Sequence, residues 1–191
     1  MNHLPKTNKY FTMKKLITLA VIAIAFTFSS ATAQEFSGLD KSPADIASYP
    51  SSYKIADKYA KIVYSRPQLN GRSLAELAPA GKVWRTGANE AAELTLYTTV
   101  KMGDKMVSPG TYSLFTIPGE KEWTIILNSK VNQWGAYSYD ESADVARVMG
   151  KVSQGSESLE AFSITFDEAN NGNMVMGWGT TRVTVPFSVP M

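Results

Sequence analysis

Phe162-Ser163-Ile164-Thr165-Phe166 sets three large apolar side chains on alternate positions, with a hydroxyl residue in each gap. A period of two places one face of a strand on a core and turns the other outward. The same period recurs along the chain. Leu94, Leu96 and Val100 alternate with Glu93, Thr95 and Thr99. Trp123, Ile125 and Leu127 alternate with Thr124 and Ile126, and Val183, Val185 and Phe187 with Arg182, Thr184 and Pro186. Residues 59–66, 111–117, 145–151 and 173–178 are further strand candidates. Turn chemistry punctuates them at Gly103-Asp104, Pro109-Gly110, Pro118-Gly119 and Asn171-Gly172. No segment sustains a 3.6-residue period. One short helix is expected at Ser73-Leu74-Ala75-Glu76, where Ser and Glu stand three apart as a capping box before Pro79. The expectation is an all-β domain: an antiparallel β-sandwich, with a jelly-roll-like or barrel-like arrangement as the alternative, and one short helix. Two connections, residues 67–92 and 128–144, are too long for hairpins. Such loops carry function or cover an open end of the sandwich.

Upstream of this pattern the chain reads differently. Met13-Lys14-Lys15 is a short positive segment, residues 16–28 carry no charge, and Ala31-Thr32-Ala33 offers small residues at a peptidase site. These are the three parts of a secretory signal peptide, with cleavage expected after Ala33. The uncharged run falls short of the roughly 20 apolar residues a bilayer requires, so no stable membrane anchor is expected after cleavage. No cysteine follows the run to take a lipid. The expected location is periplasmic, with full secretion as the alternative. Residues 34–57 lack a sustained period and read as a lead-in, ordered only where it docks. Residues 58–191 read as a single β-sandwich domain.

Removing the leader changes the charge. Lys6, Lys9, Lys14 and Lys15 go with it and no acidic residue does, so 19 basic residues less those four leave 15 against 17 acidic, a net charge of −2. A slightly acidic domain lacks the electrostatic footprint of nucleic-acid binding. The chain has no cysteine, so it uses no disulfides. Its single histidine is His3, inside the leader. The exported part thus has neither imidazole nor thiol, which removes Ser-His-Asp and Cys-His catalysis and the usual zinc and copper ligand sets. No glycine-rich phosphate loop is present. No cofactor and no metal are expected. Residues 167–173 resemble a calcium loop only faintly, without its alternating ligands, and read as a hairpin turn.

What chemistry remains is concentrated in the two long connections. Gly81-Lys82-Val83-Trp84-Arg85-Thr86-Gly87-Ala88-Asn89-Glu90 sets an aromatic ring beside a guanidinium, then a glycine, an amide and a carboxylate. Arg85 can bind a carboxylate or phosphate through two parallel hydrogen bonds, Trp84 can stack on a ring, and Asn89 and Glu90 can fix hydroxyls. The plainer alternative makes Trp84 a core plug and Arg85–Glu90 an internal ion pair. In Asn132-Gln133-Trp134-Gly135-Ala136-Tyr137-Ser138-Tyr139-Asp140 three aromatics among polar neighbours suit a carbohydrate platform, or equally a lid. Asp140, Glu141 and Asp144 form an acidic cluster whose plain reading is a solvated loop. Arg66 and Arg72 add guanidiniums near the start of the first connection, although Arg66 also suits an edge-strand charge.

These stretches, together with Pro109-Gly110-Thr111-Tyr112-Ser113-Leu114-Phe115-Thr116-Ile117-Pro118-Gly119, Trp123-Thr124-Ile125-Ile126 and Tyr64-Ser65-Arg66-Pro67, closely resemble domain-of-unknown-function family 2911 over about residues 49–189. The resemblance implies a secreted protein of the Bacteroidetes type. It implies no activity and hands down no catalytic residue. Members that continue into helical repeats after the β domain are similar to this chain, which on that comparison is the β domain alone.

Three functions follow as expectations. The first is a non-catalytic domain that binds a small polar ligand, a sugar or an anion, between residues 84–90 and 134–140. Arg66, Arg72 and Arg85 would supply charge, Trp84, Trp134, Tyr137 and Tyr139 aromatic surface, and Asn89 and Glu90 polar contacts. The second is a hydrolase pairing Glu90 with Asp140, which requires one carboxyl in an apolar site with a raised pKa. The third is an envelope assembly protein with no pocket.

Overall fold

A computed structural model of the chain describes residues 34–170 and 172–190. The expected leader lies outside them, and the Asn171-Gly172 turn falls partly outside. Residues 34–38 have no regular secondary structure. Residues 39–191 form one compact unit.

The strands are β1 (Ala44–Tyr49), β2 (Ala60–Ser65), β3 (Ala92–Leu96), β4 (Val100–Met102), β5 (Lys105–Val107), β6 (Gly110–Ile117), β7 (Glu122–Asn128), β8 (Asp144–Asp167), β9 (Asn173–Val185) and β10 (Phe187–Ser188). Seven of them form an antiparallel sheet in the order β1-β2-β3-β6-β7-β8-β9, and three form a small sheet, β10-β4-β5. The fold is all-β, as the alternation requires. Leu94, Leu96, Trp123, Ile125, Leu127, Phe162, Ile164, Phe166, Val183, Val185 and Phe187 are all buried. Each such side chain taken fully from water contributes about 1.5–3 kcal/mol.

Gly103 and Asp104 join β4 to β5, and this turn packs on Val148 of β8. Through it the small sheet closes one side of the core. The large sheet curls around the rest. Phe162 N–H donates to Pro67 O, Leu69 N–H to Glu160 O, and Arg66 reaches Phe162 O, so the far half of β8 returns to the end of β2. The result lies between a sandwich and a barrel.

Three details depart from the sequence reading. The lead-in contains β1, which pairs with β2 along six residues although its largest aliphatic side chain, Ile46, faces solvent. The candidates at 145–151 and at Phe162–Phe166 are one strand, β8, interrupted by register shifts between Gln154 and Ser163. Ile126, expected to face outward, is completely buried. It joins Phe115 and Ala91 in a second cluster, against which Val83, Ile117, Ala136 and Tyr139 pack. Both long connections contribute to that cluster, so they cover the outer face of β6 and β7 rather than an open end.

The short helix α1 (Leu74–Leu77) forms where expected. Ser73 accepts from the Glu76 backbone, and the Glu76 side chain accepts from the Ser73 N–H. Among the described residues no helix is long and apolar enough to cross a membrane.

Candidate functional site

The two long connections meet. Ala91 N–H donates to Gln133 O at 2.8 Å, Gly135 N–H donates to Asn89 O at 3.0 Å, and Glu90 forms an antiparallel bridge with Trp134. Asn132 N–H adds a bond to Glu93 Oε1 at 2.7 Å. Gly87 lets the first loop lie flat on β2, because a Cβ there would stand 3.0 Å from Ser65 O.

Backbone strain is concentrated at this junction. Thr86, Asn89 and Asn132 adopt left-handed φ angles of 54°, 60° and 57°. Asparagine tolerates that region, but a β-branched threonine does so rarely. Such residues cost about 1–3 kcal/mol each and gather at binding and switch sites. Gly135, at φ 67°, allows a closer approach still. The Tyr137 ring lies 2.7 Å from the position a Gly135 Cβ would take, and Arg85 Nη1 lies 3.7 Å from the same point. Ring and guanidinium therefore flank one glycine.

Several expected residues belong elsewhere. Trp84 is a core plug. It bonds to Thr116 through both backbone groups, stacks on Trp178 with centroids 5.5 Å apart, and meets Phe162 and Trp123 edge-on. Arg66 is consumed in joining strands: it pairs with Asp45 at 3.1 Å and donates to Phe162 O and Ser163 Oγ. Arg72 donates to Leu69 O and Gln68 O within its own loop. Tyr139 is a clamp. Its hydroxyl donates to Asp144 at 2.6 Å and accepts from Arg147, while its ring packs edge-on against Phe115. Burial, then the bond to Asp144, pushes that phenol up to about 12.

Arg85, Asn89, Glu90, Trp134 and Tyr137 remain together at the junction. The description "Protein of unknown function (DUF2911)" matches residues 42–187, which include both loops and nine of the ten strands in full. This chain belongs to the DUF2911 family. No curated protein and no solved structure matches it.

The expected Arg85–Glu90 ion pair does not form in this DUF2911 domain. Arg85 has no carboxylate partner among the described residues, and its buried Nε has no hydrogen-bond partner. A second orphan, Ser113 Oγ, is completely buried on β6. No sequence signal marked Ser113, since a serine in a strand reads simply as an outward polar position. Gly135 lies within the Asn132–Asp140 stretch, but its role depends on Arg85 arriving from the other loop.

Beside the junction lies a cavity of about 220 Å³ lined by Val63, Tyr64, Glu90, Ala91, Glu93 and Asn132, among others. A larger, open cleft of about 780 Å³ sits by Tyr49, Tyr59, Lys101 and Phe187, and none of the expected site residues lines it. Asp140 does not line the cavity that Glu90 lines; it pairs with Lys130 at 2.6 Å and accepts from Ser142 through the backbone N–H and the hydroxyl. Those bonds, the lysine's first, pull its carboxyl down to about 2.

Proposed function

We propose that this DUF2911 chain is an exported domain that binds a small polar ligand without transforming it, working outside the cytoplasm after loss of residues 1–33. One observation carries the reading. The two loops that hold the chain's unassigned aromatic and charged groups are bonded to each other, backbone to backbone, and leave Arg85 unpaired between them. Tyr137 flanks the same glycine as Arg85 and Trp134 is bridged to Glu90, and the two rings have 83% and 62% of their surface in solvent. Exposed rings next to a guanidinium supply contact area at low entropic cost. The hydrolase reading gains no support: Lys130 pairs with Asp140 and lowers its carboxyl rather than raising it, and Asp140 does not line the cavity that Glu90 lines.

Thermal-shift screening of the purified protein against sugars, organic acids, phosphates and peptides tests the proposal. A ligand at 100 times its Kd adds about 2.7 kcal/mol. For a domain of this size that raises Tm by roughly 5–10 °C. The shift should disappear in the double variant Trp134→Ala/Tyr137→Ala, whose own Tm stays near that of the parent. If no class of compound moves the transition, the domain is not a binding module of this kind.

A further inference from the structure

We infer that the ligand of the loop junction is a monocarboxylate carried on a flat or ring-shaped body, and that Arg85 receives the carboxylate. The inference rests on the binding reading above and adds the class of ligand.

Arg85 is the exception among the arginines. Arg66, Arg72, Arg147 and Arg182 each have two or more hydrogen-bond acceptors. Arg85 has none among the described residues, although its Nε is buried. A buried donor left unmet is costly, and more so when it carries charge. Ser113 adds a second unmet hydroxyl, completely buried. The two are on one face. Trp84 pairs with Thr116, so register sets Arg85 opposite Phe115, and Ser113 is the next position of β6 on that side. The loop that carries Tyr137 approaches Arg85 at Gly135. Three non-glycine residues in left-handed conformations, Thr86, Asn89 and Asn132, hold the loops in this arrangement.

The surroundings select the charge and shape of the partner. A guanidinium fork matches a carboxylate through two parallel N–H···O bonds. Glu90 and Glu93 line the adjacent cavity, so a phosphate monoester, at roughly −1.5 to −2, meets two carboxylates with one arginine to offset them. A single negative charge is the better fit. Tyr137, whose ring edge lies against the same glycine the guanidinium approaches, and exposed Trp134 give the body of the ligand aromatic surface to contact.

Three compounds sharing one ring separate the possibilities: glucose, glucuronate and glucose 6-phosphate, with benzoate and benzyl alcohol as a planar pair. Each is titrated at low ionic strength into the protein labelled at arginine nitrogens, reading the Arg85 Nε–H resonance together with Tm. Glucuronate or benzoate should move that resonance and bind at least tenfold more tightly than its neutral counterpart and than the phosphate. Arg85→Lys should lose at least tenfold in affinity, and Ser113→Ala less. Glucose binding as tightly as glucuronate would leave the binding function standing and overturn the carboxylate. Tighter binding of glucose 6-phosphate would overturn the single charge. Silence from both carboxylates, with an Nε–H that behaves as paired to water, would also overturn the inference; whether any neutral compound then binds decides the broader reading separately.

Discussion

Trp84 and Arg85 occupy successive positions of a segment that pairs with β6, and such positions face opposite sides of a sheet. One ring enters the aromatic core with Trp178, Phe162 and Trp123, while the guanidinium next to it reaches the loop-covered face. Trp84→Ala should therefore cost about 3–5 kcal/mol, because it removes a large buried ring and leaves a cavity. Trp134→Ala should stay within about 0.5 kcal/mol of the parent, its ring being mostly in solvent. Denaturant titration of the two variants decides between them, and equal midpoints would mean that Trp84 is not the core's plug. The sequence left Trp84 open between plug and platform for a physical reason. Its direction is set by a bridge to Thr116, a partner no local pattern names. Arg85 and Glu90 looked like an ion pair on spacing alone. The left-handed turns at Thr86 and Asn89 send them to different neighbours.

The capping box of helix α1 was legible to the residue, and the helix to within one, because everything that makes it is local. The box lies within four consecutive positions. The β8–β9 ribbon was not, because its decisive contacts join residues far apart. Between the buried runs of β8 the chain crosses from one side of the core to the other, and the exposed crossing hid the continuity of the strand. Arg182 holds this corner. It donates to Gly179 O and Thr181 O from one nitrogen and to Glu157 O from another, and its guanidinium sits 2.7 Å from where a Gly155 Cβ would stand. Three charge-assisted bonds to carbonyls fix the angle at which the ribbon folds back. Arg182→Met, which keeps the apolar stem, should cost about 1.5–3 kcal/mol. The loss should be local. Amide exchange should quicken in residues 155–160 and 177–182 and stay slow in β3, β6 and β7. Unchanged protection at the corner would show that the glycines alone shape it.

For the molecule as a whole, the lack of cysteine and the placement of the single histidine at His3, outside the folded domain's residues, set how stability responds to pH. In residues 34–191 no side chain has an ordinary pKa between about 5 and 8.5. The perturbed groups lie outside that window. Asp140 is pulled to about 2 by Lys130, then Ser142; Glu76 is lowered by Ser73 and Glu168 by Ser51. Such carboxyls take up protons more readily in the unfolded chain. The stability they give is complete above about pH 5 and is lost as pH falls through the unfolded values toward the folded ones. Tyr139, pushed up to about 12 by burial and Asp144, and Tyr64, raised by burial, act in the opposite sense. Their contribution is complete below about pH 10 and is lost as pH rises from there toward the folded values. Calorimetry from pH 2 to 11 should give a Tm that is level between about 5.5 and 9 and falls on both flanks. A marked slope between pH 6 and 8 would contradict this, because it requires a buried carboxyl titrating near neutrality. That same group is the one a carboxylate-based hydrolase would need, so a level profile argues against catalysis at this site as well as for the charge pattern of the fold.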